Sequence, residues 1–218
     1  MKPTWNNYEI SFRRAEKEFL QFDQEEIISA SSLDADEDYI YVMYFCSRYR
    51  VCRKSGEMER LLTDGSWRHA TYSEGMGIFD AICEPTPFRC LSGDMVDMGH
   101  FSKIGFNGSS LYQPYADSFC EHMTDLKETC LGLGGEPLDR CDVGFRFWIF
   151  DFLPWEFRLW EGEEGIPAML QFYWDKNTPD FLRYETTHII LGHLLEEIRE
   201  KMGLPRSPFA HAVVMKQD

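Results

Sequence analysis

The longest stretch of organised pattern lies between Gly144 and Met202, and its period changes once along the way. From Gly144 to Phe152 nearly every residue is aromatic or aliphatic, with Arg146 and Asp151 the only charges, as in a strand buried on both faces in mid-sheet. Leu153-Pro154 ends that strand, because proline lacks the N–H a ladder needs. The next six residues alternate, Trp155, Phe157 and Leu159 to one side and Glu156, Arg158 and Trp160 to the other, which predicts a strand with one wet face. A turn from Glu161 to Gly165 leads to a third apolar run, Ile166 to Trp174, with a bulge or edge at Pro167. Connections this short favour an antiparallel meander. Beyond the polar segment ending at Asp180 the spacing becomes three and four. Tyr184, His188, Leu191, Leu194, Leu195 and Ile198 define an amphipathic helix over 185–202, stopped by Gly203 and docked on the meander.

The same patterns organise the rest of the chain more loosely. Tyr8, Phe12, Ala15, Phe19 and Leu20 share a helical face over 6–22, and Asp23 caps a second short helix. Polar residues 29–37 form a loop. Residues 38–45 are a β-prone run that pairs with 49–54 across a turn at Ser47-Arg48. Residues 67–72 are extended, and 74–83 form a short helix stopped before Pro85 and Pro87. Residues 84–113 show no sustained period and are expected to make a long surface excursion, the kind of segment that often carries binding groups. Pro114 opens a helix over 115–131, ended by Gly132, Gly134 and Gly135. The expected fold is α+β in a single domain: a mostly antiparallel sheet built from 38–54 and 144–174, covered by the N-terminal, 115–131 and 185–202 helices. Within it, 1–34 is an N-terminal helical segment, 35–202 the core and 203–218 a C-terminal tail.

Charge and cysteine usage narrow the setting. The 218 residues carry a formal charge of −15, which disfavours nucleic acid and anionic membrane surfaces as partners. No apolar run approaches the roughly 18 residues of a membrane helix, and the first residues are charged where a secretory segment is apolar. The expected location is the cytoplasm. Seven dispersed cysteines without a C-x-x-C pair fit reduced thiols.

Several motifs in series carry a resemblance. IFDAIC before a Pro-rich segment, LSG, a helix ending in LGGEP, then DVGFRFWIFDFLP, WEGEEGIPA, LQFYWDKN and YET resemble the bacterial family known as domain of unknown function 3786, over roughly residues 35–202. The resemblance implies no reaction and no ligand. Some relatives are joined to iron–sulfur modules, a setting of anaerobic redox or corrinoid chemistry, but the closely spaced cysteines of such a module are missing here.

Four kinds of chemistry are candidates. Asp151, Glu161, Glu163, Glu164, Asp175 and Glu185 fall at strand ends or the helix start, where converging carboxylates bind a hard cation or share a proton; turns and helix starts hold such residues for structural reasons too. Cys83 could pair with His69, His100 or His188 as nucleophile and base, although a helix C-terminus raises a thiol pKa. His188 and His193 stand about 140° apart around their helix and do not chelate one ion together. The glycines of LGLGGEP end a helix rather than open one, which fits a cap and not a phosphate loop. Finally, Trp148, Phe150, Trp155, Trp160, Phe172, Tyr173 and Trp174, with Trp67 and Tyr72, supply aromatic walls for a ligand held by Asp151, Arg158 and Asp175.

Two functions follow as expectations. The first is a cytoplasmic binding or accessory protein, its small-molecule or protein partner held by the 84–113 excursion against the meander at Asp151, Trp155, Arg158, Trp160, Glu163, Glu164 and Asp175. The second is a carboxylate enzyme, with or without a divalent metal, at Asp151, Glu163, Glu164 and Asp175. No cofactor is assigned.

Overall fold

The spacing of Phe12 and Phe19 buries one face of helix α1 (Asn7–Phe19), where both rings meet Phe79. Asp23 then caps α2 (Gln24–Ser31), its carboxylate accepting the amides of Glu25 and Glu26 at 3.0 and 3.1 Å. This computed structural model describes residues 7–83, 89–101 and 109–207. An antiparallel meander follows, β1 (Asp34–Ala35), β2 (Tyr39–Tyr44), β3 (Ser47–Cys52), β4 (Met58–Leu61) and β5 (Trp67–His69), paired in chain order. Period-two alternation turns Ile40, Val42, Tyr44, Tyr49, Val51 and Met58 to the inner face. Helix α3 (Tyr72–Cys83) closes this half, and its burial on nearly every side marks it as the helix around which other elements pack.

The second half begins with β6 (Met95–Asp97), helices α4 (Ser109–Cys120) and α5 (Met123–Gly132), and β7 (Glu136–Pro137). Strands β8 (Val143–Phe150), β9 (Leu153–Trp160) and β10 (Met169–Asp175) then form the expected meander, and α6 (Tyr184–Lys201) closes the fold. The order in this second sheet is β6-β10-β9-β8-β7, antiparallel throughout. Trp155, Phe157 and Leu159 of β9 are fully buried on its inner face, with Trp155 stacked 6.0 Å from Phe172. On the outer face Glu156 is still 1% exposed, because Arg146 and Arg158 close over it at 2.6 and 2.8 Å.

The architecture is α+β with two antiparallel sheets, where the sequence predicted one sheet drawn from both segments. The sheets meet at the β2–β3 turn: the Phe45 amide donates to the Ile149 carbonyl at 2.7 Å, and Tyr44 stacks on Phe150. Three further details differ from the sequence reading. The mid-sheet strand is β9 rather than β8, whose Trp148 is 44% exposed; the apolar density of β8 reflects contact with the first sheet as well as its own core. The helix expected over 115–131 is two helices, α4 starting before Pro114 and a break at Glu121-His122. The 84–113 segment contains an edge strand, β6, and the start of α4; its residues 84–88 and 102–108 lie outside those described.

Candidate functional site

Strands β4 and β5 place Arg60 and Arg68 directly opposite each other. Like charges in such a pair repel unless countercharges are supplied. They come from two helices. Thr71 and Glu74 form a capping box at the start of α3: the Thr71 amide donates to Glu74 Oε2 at 2.6 Å, and the Glu74 amide reaches Thr71 Oγ1 at 3.4 Å. That box holds the Glu74 carboxylate between the two guanidinium groups, bound by both Arg68 Nη atoms at 2.8 and 2.9 Å, by Arg60 Nη1 at 2.9 Å and by the Tyr49 hydroxyl at 2.8 Å. Glu197, from α6, takes the other side of Arg60 with both oxygens, and Ser47 Oγ accepts from Arg60 Nη2 at 2.9 Å.

These groups are charged where water hardly reaches. Glu74 is fully buried and Glu197 nearly so. Burial raises the Glu74 carboxyl pKa, but the Arg68 bond and charge, the Thr71 amide and, in acid where its ring is protonated, His193 outweigh it and hold the group well below the usual carboxylate range. Glu197 is lowered in the same way, against burial, by Arg60 and His193. His193 goes down: burial disfavours its charge, Glu74 and Glu197 pull it up, and Arg60 and Arg68 push it down again.

Over this network lies a groove of about 960 Å³, between the first sheet, the end of α5 and the C-terminal half of α6. One wall is the β2–β3 turn, where Phe45 (φ 40°) and Cys46 (φ 61°) both adopt the left-handed conformation. The twist of a two-residue hairpin demands this geometry, which costs a side-chain-bearing residue about 1–2 kcal/mol. Packing of Phe45 on Phe147 and the hydrogen bond from the Cys46 thiol to the Leu133 carbonyl at 2.6 Å offset the strain. Leu133 follows α5, whose end is closed by the Gly135 amide donating to the Cys130 carbonyl, so the glycines of LGLGGEP are a helix cap, as their position implied. At the rim, Arg48, Lys201 and Arg206 are exposed.

A family model described as Domain of unknown function (DUF3786) matches residues 23–197. The chain belongs to this family. No curated protein and no solved structure matches it. The DUF3786 match takes in the whole groove floor, Arg60, Arg68, Glu74, His193 and Glu197, while α1 and the rim cations Lys201 and Arg206 lie beyond it.

The residues singled out from the DUF3786 sequence do not gather in one place. Asp151 is exposed in the β8–β9 turn, beside a second cavity of about 290 Å³ bordered by Ser31, Ser32 and Met43. Glu161, Glu163 and Glu164 are exposed in the turn after β9, and Glu185 is exposed in the first turn of α6. Asp175 is buried and saturated: it accepts from the amides of Ser92, Gly93 and Asn177 and from the Ser92 hydroxyl, all within 3.0 Å. Burial raises its pKa, and those hydrogen bonds more than reverse the effect, so it stays ionised as the anchor of the 92–94 loop. Trp155 lies in the core; Arg158 stacks on Tyr173 at 4.1 Å on the outer face of the second sheet, the face that also carries Trp160. His69 is held by Glu16 at 2.9 Å and His188 by the Tyr112 hydroxyl at 3.1 Å. His100 is exposed, and Cys83 is buried at the end of α3. Among the described residues no group of three or more His, Cys, Asp or Glu is placed to hold a metal ion, and no helix is long and apolar enough to cross a membrane.

The groove residues escaped the sequence reading for a physical reason. Arg60 and Arg68 sit on short strands of mixed composition, and only the hairpin register makes them neighbours. One signal was legible, the Thr71-x-x-Glu74 spacing of a capping box, which fixes a carboxylate at a helix start.

Proposed function

We propose that this DUF3786 protein binds a small polar molecule in the groove between its first sheet and α6. One observation carries the reading: a concave space of about 960 Å³, within the usual range of ligand sites, lies over a floor of ionised side chains that hold one another in place. A floor locked by bidentate arginine contacts presents fixed dipoles without reorganisation, which is what selective binding of a polar molecule requires. Arg60, paired on both sides, also ties α3 and α6 to the first sheet, so occupancy of the groove and stability of the fold are linked.

A nucleic acid is a poor occupant for a chain of charge −15, and the groove is a concavity rather than a basic stripe. A carboxylate reaction at Asp151, Glu163, Glu164 and Asp175 has less support, since Asp151 is exposed in one turn, Glu163 and Glu164 in another, and Asp175 is committed to backbone amides.

The test is amide-shift mapping of the ¹⁵N-labelled protein against succinate, glycerol 3-phosphate and glucose. Groove binding predicts shifts concentrated at Ser47, Arg60, Leu133, Gly134 and His193 that Thr63→Trp, an exposed position on the groove wall, abolishes. Shifts confined to other surfaces, or shifts indifferent to Thr63→Trp, would refute it.

A further inference from the structure

His193 makes no hydrogen bond or ion pair with the floor residues. Its ring stacks on Tyr44, with centroids 5.4 Å apart and planes 16° from parallel, and the residue is 8% exposed. It lines the groove, yet neither ring nitrogen makes a hydrogen bond to any described residue. The groups around it come from five elements: Tyr44 on β2, Arg60 on β4, Arg68 on β5, Glu74 on α3 and Glu197 on α6 itself. Both arginines are bound to the carboxylates, and both carboxylates to the arginines, so the four charges cancel and none of them is spent on the imidazole. The ring is nine-tenths buried but its nitrogens keep access to the groove, so what they bond to is decided by what the groove holds.

The rim gives the sign of what enters. Arg48, Lys201 and Arg206 are exposed and make no ion pair among the described residues, in a chain whose net charge is −15. Of the carboxylates beside them, Glu196 accepts from the Tyr115 hydroxyl at 2.7 Å and from the Ser207 amide, both neutral donors, so Glu196 and Glu200 oppose the three cations and leave a formal excess of one positive charge.

We propose that the groove takes a small organic anion, a carboxylate or a phosphate monoester, and that His193 accepts a proton from solvent as the anion binds and donates the new N–H to it. This rests on the groove being the ligand site. The proton balances the incoming negative charge: the empty site keeps the imidazole neutral, and the anion adds the countercharge that the floor, already neutral, withholds. Binding is therefore linked to pH, and affinity rises about tenfold for each unit of acidification between the midpoints of the liganded and the empty protein.

The experiment follows the His193 ring by NMR in ¹³C,¹⁵N-histidine-labelled protein from pH 4.5 to 8, alone and with succinate, glycerol 3-phosphate or glucose. Expected is a His193 midpoint below the ordinary histidine value without additive, raised by whichever anion perturbs the groove amides and unchanged by glucose, with exposed His100, away from the groove, unmoved as internal reference. A response to succinate alone assigns a carboxylate, and a response to glycerol 3-phosphate alone assigns a phosphate. His193→Gln should weaken anion binding at pH 5.5 far more than at pH 8 and so remove the pH dependence that follows the His193 midpoint, whereas Arg206→Glu should weaken it across the whole range. Groove amides that shift with an anion while the His193 midpoint stays fixed would overturn the proton uptake and leave the binding site standing. Binding of glucose in place of both anions would overturn the anion class, and a groove silent to all three would overturn both.

Discussion

Glu74→Gln tests the groove floor most severely. The wild-type carboxylate is fully buried and takes hydrogen bonds from Arg68 twice, from Arg60, from Tyr49 and from the Thr71 amide. Glutamine keeps the volume but removes the charge and turns one acceptor into a donor aimed at guanidinium groups. Arg60 retains Glu197, and Arg68, about a third exposed, can turn partly to water, so the loss falls short of a wholly orphaned ion. Breaking a buried pair costs about 3–5 kcal/mol, and with these escapes about 3 kcal/mol is expected. In a chain of this length that lowers Tm by about 6–12 °C, measurable by calorimetry and by urea unfolding at pH 7. The pH dependence follows from the lowered pKa. A carboxyl depressed in the folded state stabilises fully above its unfolded value near 4.5 and loses that contribution progressively as pH falls from there through the depressed folded-state value, so the gap between wild type and variant should narrow steadily below pH 4.5. A Tm change under 2 °C at pH 7, or a gap that widens in acid, would refute the network as a stabilising floor.

Three other perturbations probe separate parts of the account. Asp175→Ala should cost about 2–4 kcal/mol and remove hydrogen-exchange protection from Ser92 and Gly93 while leaving α6 protected; loss spread over the whole chain would contradict its role as a loop anchor. Gly75→Ala puts a methyl 1.9 Å from the Phe12 ring, so the buried ring must turn away or α1 must shift, with about 1–3 kcal/mol lost and exchange accelerated in α1 first; unchanged stability and exchange would argue against the docking of α1 on α3. Burial lowers both His193 and His188, so the unfolded chain binds more protons below the ordinary value near 6.5, and stability should fall as pH drops from 7.5 to 5.5; urea midpoints that rise over this interval would contradict it.

Much of the second sheet was legible because its chemistry is local. The alternation of Trp155 to Trp160 fixes which side chains enter the core, and Trp155 and Trp160 do face opposite sides of β9. The spacing from Tyr184 to Ile198 likewise gives α6 within a residue or two. What the pattern lacked was long-range pairing. Nothing in residues 38–54 tells that β2 contributes one backbone bond to β8, through Phe45, instead of a full ladder, so two sheets read as one. The edge strand β6 is three residues long and paired to β10, too short for a period to register. The groove is hidden for the same reason: Arg60, Glu74 and Glu197 come from β4, α3 and α6, up to 137 positions apart, and meet only after folding. Aromatic density drew attention to β8–β10, where most rings are core, while the charged floor carries no compositional signal.

The groove as a ligand site is the central claim, and native mass spectrometry of the protein purified from the cells that naturally make it tests that claim most directly. The account predicts a stoichiometric small anion on the wild-type chain that is absent from Thr63→Trp purified in parallel. A bound species retained by the groove-filled variant, or a wild-type chain that carries none and takes up neither succinate nor glycerol 3-phosphate, would contradict it.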